Sequence, residues 1–486
     1  MQATASRLRV DGRRAAQAAV VLLFVAMAIE GISVEVFGLT LRAPYLAAPI
    51  AWLVILFNSR RERTPIRIPV PALFLLAWLA VLAISSAVSP LPFAGTTVHL
   101  LRFSLLVATF LALPNLIRDE EMVAWAIKAF VVTITLEFGL ALLLFGVRAV
   151  TGLSMPGLRE GYEACPVVAA NGTLILNIFL GHLAMIGTIL LTGLLVVPEN
   201  PLGLTRPALI GMLSLALVAL VLAVSRMSVF TTILAIIMLL IILGLMRNVL
   251  AKSLRWSALV LGASAIVIVV GLLLLPPSVG LVCRGWLTAR GMVELTGSPQ
   301  LVNLIEDVPN YQRTVAAMRV AAASTPSTDP DEVESIMAQG GTSTSGRFQQ
   351  IEDVVVVWRQ RPVLGWGVLG TERLSAAGRY NGYLWVLNAE LALLADTGVI
   401  GFVLFGGFAL LTLWKTWTCA RALEPPWSYV SAILLVVLFA VMLVAQTSQP
   451  IWIAMPYVTA GLAAAIWNLD PYSRKYRVVP AVEVIV

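Results

Sequence analysis

The sequence predicts an all-α, polytopic membrane protein with about twelve transmembrane helices and one large helical loop outside the bilayer. Three observations predict it. The chain is 59% hydrophobic and only 12% charged, whereas soluble domains carry about 25% charged residues. Its mean hydropathy is +0.92, and a chain so poor in charge cannot keep its surface solvated by water. Apolar runs recur at the length, roughly 20 residues, that lets a helix cross a bilayer. The basic residues gather in alternate connections between those runs, the pattern that orients membrane helices.

Taken in order, the expected spans are about 15–34, 40–57, 69–88, 97–117, 122–146, 172–197, 207–224, 227–246, 256–276, 391–414, 428–446 and 450–468. The second carries Arg42 and Pro44, and the tenth begins inside a segment dotted with polar residues. The first lacks a small-residue cleavage site and is too long for a signal-peptide core, so it is expected to be retained. Arg7, Arg9, Arg13 and Arg14 precede the first span, and Arg60, Arg61, Arg63 and Arg67 follow the second. Arg118, Arg206, Arg247, Lys252, Arg255, Lys415, Arg421, Arg474, Lys475 and Arg477 continue the series. With twelve spans all of these fall on one side, so both termini are expected to be cytoplasmic. The opposite side holds Arg42, Arg148, Arg159 and Arg226 beside its short loops. The net charge of +7 partly reflects this signal. Cations split among short loops do not make a nucleic-acid surface.

The chain therefore divides into membrane helices over 1–276, an outer loop over 277–384, membrane helices over 385–468, and a cytoplasmic tail over 469–486. The loop is too long to be a plain connection. Its pattern predicts helices near 299–308, 310–322, 331–338 and 345–360, the last stopping before Pro362. On that helix Ile351, Val354, Val355 and Trp358 form an apolar stripe able to lie on the membrane or on other helices. Cys165 and Cys283 fall outside and Cys419 inside. An oxidising exterior would let the outer pair bond; two unrelated thiols are the alternative. No internal repeat of fixed period is present.

Several chemistries find no support. No His/Cys/Asp cluster has metal-ligand spacing, and no glycine-rich phosphate loop or Gly-x-Ser-x-Gly elbow occurs. No metal and no cofactor is expected. His99 and His182 lie in or beside spans and read as buried neutral histidines. What stands out is fixed positive charge beside the outer membrane surface. Arg226 opens an apolar span directly after Ser225, and Arg347 opens the last loop helix after Ser345-Gly346. Each reads either as an interfacial or solvated arginine or as a cation held for a phosphate. Guanidinium suits a diphosphate because its planar fork donates two parallel bonds, and a helix N-terminus adds partial positive charge. Arg359 and Arg361 lie on the polar side of the same loop helix. Pro362-Val-Leu-Gly365-Trp366-Gly367 ends it in what reads, by itself, as an ordinary turn. Asn388, Leu391, Leu394, Asp396, Gly398 and Gly401 then recur at fixed spacing into the tenth span.

These segments, in this order, resemble the O-antigen ligase and polysaccharide polymerase superfamily. Ser225-Arg226 resembles the family's Ser-Arg at the start of a transmembrane helix. Gly346-Arg347 with Pro362 to Gly367 resembles its loop helix, which ends in Pro-x-x-Gly-x-Gly. Asn388 to Gly401 resembles its closing His-Asn-x-x-Leu-x-x-Leu-x-Glu-x-Gly-x-x-Gly. The resemblance covers about 207–416. It implies a metal-independent glycosyltransferase of the bacterial inner membrane that moves a glycan from a polyprenyl-diphosphate carrier on the periplasmic face. The acceptor would be a glycan or a lipid. Arg226 and Arg347 would hold the diphosphate, and Asn388 would help place the acceptor or a neighbouring backbone. Arg359, Arg361, Tyr383 and Glu390 are the further candidates for substrate binding, though Glu390 also reads as an interfacial salt-bridge partner. The family's histidine position is Leu387 here, and Asp396 stands where the family has glutamate. The missing histidine favours a polymerase, or another branch that does without that group, over a strict lipopolysaccharide ligase. A transporter of lipid-linked glycans or a non-catalytic family member are the competing readings. A transporter should show two halves with related patterning, and none is visible.

Overall fold

The computed structural model describes residues 2–36, 39–90, 93–151, 158–159, 169–170, 172–174, 177–198, 200–223, 225–246, 351, 354–370, 374, 388–446 and 453–469. The expected span at 256–276, the loop helices at 299–308, 310–322 and 331–338, Cys165 and Cys283 lie outside these residues. So do Arg347, Tyr383 and Leu387.

Besides the loop helix over 354–360, eleven helices are described in chain order. They are α1 (Gln2–Ala28), α2 (Ala43–Glu62), α3 (Val70–Ala87), α4 (Phe93–Leu116), α5 (Glu120–Thr151), α6 (Asn177–Val196), α7 (Arg206–Leu222), α8 (Arg226–Leu245), α9 (Ala389–Ala422), α10 (Trp427–Ala445) and α11 (Ala454–Ile466). Each coincides with an expected span. Seven, α3 to α6 and α8 to α10, are long and apolar enough to cross a membrane, while α7, at 17 residues, is a shorter apolar helix. The protein is a polytopic all-α membrane protein. Leu53, Phe57, Phe230, Ile241, Val403 and Trp414 are exposed on the outside of the bundle, as lipid-facing side chains must be.

The first span ends earlier than the sequence suggested. Helix α1 stops at Ala28, and a hairpin follows, β1 (Ser33–Val36) paired antiparallel with β2 (Leu39–Arg42), Ser33 facing Arg42. The apolar run up to residue 34 hid a change of period, because Ser33-Val-Glu-Val alternates as a strand does. A two-residue ladder, β3 (Leu158–Arg159) with β4 (Ala169–Ala170), lies in the connection between α5 and α6.

Helix α6 is the axis of the bundle. Nearly all of its span is buried, and it packs on α7, α8 and α10. Gly181 lets α8 approach, since a Cβ there would lie 2.7 Å from the Ser225 Cβ. Helix α9 packs most extensively on α3 and then on α10. Rings fill the α3–α4–α9 interface, with Trp78 edge-on to Phe103 and Phe405, and Phe110 edge-on to Phe408.

Polar contacts fasten both ends. At one end Asn115 both accepts from the Arg67 N–H (2.7 Å) and donates to its carbonyl (2.9 Å). Arg13 pairs with Asp119 (3.5 Å) and Glu121 (2.8 Å), and the Trp427 indole donates to Glu120. At the other end the Ala454 N–H donates to Glu30 (2.9 Å) and the Gly31 N–H to the Thr173 carbonyl (2.8 Å). The starts of α6 and α8 and the ends of α3 and α10 share this second end.

Candidate functional site

The glycine motifs form one junction. Helix α9 is broken at Gly398, whose φ of 63° and ψ of −170° are not helical. That region of backbone space is essentially open to glycine alone. A break in a helix leaves carbonyls orphaned on one side and N–H groups on the other. The turn over 362–367 answers both. The Trp366 and Gly367 N–H groups donate to the carbonyls of Ala395 (3.0 Å) and Asp396 (2.8 Å). In return the Val399 and Ile400 N–H groups donate to the carbonyls of Pro362 (2.9 Å) and Val363 (3.4 Å). Gly365 and Gly367 have φ of 68° and 82°. A Cβ on Gly365 would sit 2.5 Å from the Ala395 carbonyl oxygen, and one on Gly367 would sit 2.7 Å from the Ser86 Cα. The turn that looked ordinary in sequence is a stitched joint that tolerates no side chain at these glycines.

Helix α3 completes the joint. The Ser85 hydroxyl donates to the Asp396 carbonyl (3.1 Å), and the Ser86 hydroxyl accepts from the Val368 N–H (3.1 Å). Leu369 holds a positive φ of 60°, and its N–H donates to the Asp396 carboxylate (3.3 Å). The short carboxylate of Asp396 thus steadies a strained turn.

The loop helix rests on the first half of α9. Val354 and Val357 are buried against Ala392 and Ala395, with Trp358, Trp366, Leu374 and Leu391 around them. The packed face is therefore shifted from the expected stripe, because Val357 takes the inward position while Ile351 is exposed. Arg359 is exposed. Arg361 stacks on the Trp366 ring, 4.8 Å from its centroid, and donates to the Val88 carbonyl (3.1 Å).

Asn388 is the N-cap of α9. Its side-chain oxygen accepts from the Leu391 N–H (2.9 Å), and its amide donates to the Gln446 carbonyl (3.2 Å) at the end of α10. Gln446 in turn donates to Glu390 Oε1 (2.6 Å). Glu390 Oε2 is buried with no hydrogen-bond partner among the described residues. Both ends of the Asn388 amide are thus spent on backbone, and Glu390 is anchored by an amide through one of its oxygens. Arg226 is the first residue of α8 and is half-buried. Its N-cap, Ser225, makes no capping bond and instead pairs its hydroxyl with that of Ser228 (2.7 Å). Helix α10 packs on both α8 and α9, so Arg226, Asn388 and Glu390 share one end of the bundle.

A family model described as O-antigen ligase matches residues 211–406. Over this stretch the chain is similar to the O-antigen ligase family. The match runs from α7 to the second half of α9 and takes in Arg226, Arg347, the turn and the broken helix. No curated protein matches the chain. The match supports, broadly, a function of the O-antigen ligase and polymerase type. The joint and the head of α9 draw on residues beyond the matched stretch: Ser85 and Ser86 on α3 and Gln446 after α10. Sequence reasoning did not find these three. The Ser85-Ser86 pair near the end of an apolar span was the available signal.

Proposed function

We propose that the protein is a metal-independent glycosyltransferase that transfers or polymerises a glycan carried on a polyprenyl diphosphate, acting at the periplasmic face of the bacterial inner membrane. The observation that carries this reading is the O-antigen ligase match over 211–406, with Arg226 heading a helix at the same end of the bundle as Asn388 and Glu390. The bond that breaks joins the anomeric carbon of the glycan to a diphosphate oxygen. The bond that forms joins that carbon to an acceptor hydroxyl oxygen. Negative charge grows on the departing diphosphate. Fixed donors aimed at developing charge in a site poor in water are worth most at that moment. Arg226, with the N–H groups of α8 behind it, and Arg347 supply them. The acceptor proton leaves late, to solvent or to a leaving-group oxygen.

Asn388 positions the head of α9 beside α10, and Glu390 and Tyr383 are assigned to substrate binding in this reading. Arg359 is free to meet a glycan or a phosphate, whereas Arg361 acts through the turn it clamps. Both termini are cytoplasmic in this proposal, with 277–384 as the periplasmic loop between the membrane segments 1–276 and 385–468, and 469–486 as the tail. A broken membrane helix is also a device of transporters, whose half-helix ends face the substrate. Here the ends at Gly398 are saturated by the 362–367 turn, which favours the enzyme. The test is glycan analysis of a deletion strain. Single lipid-linked repeats should accumulate if the chain polymerises. Intact polymer without attachment to lipid A would assign ligation. Unchanged glycans would reject both.

A further inference from the structure

The end of the bundle that carries Arg226 also holds a buried acid that the candidate site does not use. Glu137 stands on α5 with 4% of its surface exposed. Its Oε1 accepts the Thr173 N–H (2.7 Å), and its Oε2 lies 2.7 Å from the Thr173 hydroxyl oxygen. That same hydroxyl oxygen lies 2.9 Å from the Ala28 carbonyl oxygen at the end of α1, where helix carbonyls lack intrahelical partners. The Gly31 N–H donates to the Thr173 carbonyl (2.8 Å), so every polar atom of Thr173 is committed. The fit is close. Gly172 holds a φ of 57°, and a Cβ there would sit 2.1 Å from Glu137 Oε1.

We propose that Glu137 carries its proton in the folded protein, and that in this neutral form it is the positioning residue that seats the head of α6 against the head of α8. A hydroxyl has one proton to donate, and a carboxylate can only accept. With Glu137 ionised, Thr173 would face two acceptors with one proton, and one of them would oppose it lone pair to lone pair at hydrogen-bond distance. A neutral acid removes the conflict. Its Oε2–H donates to the Thr173 hydroxyl, the hydroxyl donates to Ala28, and Oε1 keeps the Thr173 N–H. An ionised carboxylate inside a span is also costly unless it is paired. Helix α5 packs on α1, α6, α7 and α11. The titratable side chains these bring to this end are Glu30 just past α1, His182 on α6 and Tyr457 on α11, while Arg206 opens α7 at the opposite end. Among the described residues, the partner of the Glu137 carboxyl is Thr173 and none of these four.

The contact bears on the candidate site through α6. Thr173 stands four residues before α6 begins at Asn177. In the second turn Gly181 rests on α8, where an added Cβ would come within 2.7 Å of the Ser225 Cβ and 2.9 Å of the Ser228 Oγ. Ser225 is the N-cap of α8 and Arg226 its first residue. A shift in the head of α6 therefore moves the backbone that carries Arg226. The positioning role rests on the reading in which Arg226 holds a diphosphate; the proton on Glu137 does not.

Purified full-length protein in maltoside micelles is compared with Glu137→Gln, Glu137→Ala and Thr173→Val at neutral pH. Infrared spectra are recorded, and a polyprenyl diphosphate is titrated in and read by native mass spectrometry. The wild-type minus Glu137→Gln spectrum should contain the carbonyl stretch of a protonated carboxyl. Loss of an ionised carboxylate band in its place overturns the proposal. Glu137→Ala and Thr173→Val should weaken diphosphate binding roughly tenfold or more. Glutamine donates where the acid did and still accepts the Thr173 N–H, so Glu137→Gln should recover the affinity that alanine loses. A loss in Glu137→Gln as large as in Glu137→Ala, or equal affinity in the wild type and all three variants, overturns the positioning role. If Glu137→Ala does not purify, Thr173→Val decides, with Thr173→Ser expected to restore binding by returning the hydroxyl. Wild type that binds the diphosphate but transfers no glycan sinks the glycosyl-transfer reading and leaves the positioning role standing. Wild type that does not bind the diphosphate sinks that reading and the positioning role together, and the infrared band still decides the proton.

Discussion

The two ends of the bundle hold their charges differently. At one end Arg13 faces carboxylates at 3.5 and 2.8 Å, and Asn115 closes on the backbone of Arg67 twice. At the other end Arg361 leans on a tryptophan ring and a backbone carbonyl. A cation matched by carboxylates has little field left for a ligand. One supported by neutral groups keeps its charge available. The first end is therefore a fastening. The second is where an anionic substrate would be held, and it divides again into a neutral joint built on glycines and a charged rim around Arg226. The joint sets geometry and the rim supplies charge, so damage to each should look different.

The largest effect is expected at the joint. Gly398→Ala forces a side chain into a backbone region that costs about 1–3 kcal/mol and drives a Cβ against the Val363 carbonyl. The four backbone bonds that close the break depend on that geometry. The variant should lose the folded, monodisperse protein, read by size-exclusion chromatography and by a melting temperature at least several degrees lower. A normally folded Gly398→Ala would show that the break is not what fixes the turn.

The rim should respond in activity alone. Arg226→Ala removes a side chain that only half packs, so expression and melting temperature should hold. Turnover should fall roughly 10²–10³-fold, the usual loss when one preorganised donor to developing charge is removed. Arg347→Ala should match it. Lysine should recover part of the rate at either position, because the charge survives without the fork. If both alanine variants turn over normally at normal expression, the diphosphate clamp is wrong.

Asn388 sits between the two behaviours. It caps α9 and also ties α9 to Gln446. Asn388→Ala should cost about 1 kcal/mol of stability, visible as a small drop in melting temperature, and should lower turnover by misplacing the head of α9. Asn388→Asp keeps the cap and loses the donor to Gln446. Its stability should stay closer to the wild type, and its activity should still drop. Equal stability losses in the two variants would mean that the tie to α10, not the cap, holds the helix head.

Much of the bundle was legible in the sequence because bilayer spans are written in composition and length. The hairpin at 33–42 was not, since its strands are short and abut an apolar run. The glycines at 365, 367 and 398 were visible as spacing, but their meaning was not. A positive φ and a clash depend on which backbone lies opposite, and Ser86 and Gly367 are far apart in the chain. Arg361 read as polar surface because nothing local marks a ring and a carbonyl waiting for it.

The smallest effect, a null one, is expected next to Asn388. Leu387 occupies the position where the family motif carries histidine, while Asn388, Leu391, Leu394, Gly398 and Gly401 stay in register. If the chemistry needed a base there, its loss would cost roughly 10²–10⁴-fold, and restoring histidine should recover some of that. The rim argues otherwise. In the proposed reaction two guanidiniums would make the diphosphate a good leaving group, the bond to it could break well ahead of proton transfer, and the acceptor hydroxyl would then lose its proton from an already activated state. Leu387→His should accordingly leave turnover unchanged in an assay that extends a purified lipid-linked repeat in nanodiscs, with Asn388→Ala reduced beside it. A large gain from histidine would mean that the wild-type rim lacks a group its reaction uses. The charged rim would then be a binding surface, and the protein a non-catalytic relative of the enzymes it resembles.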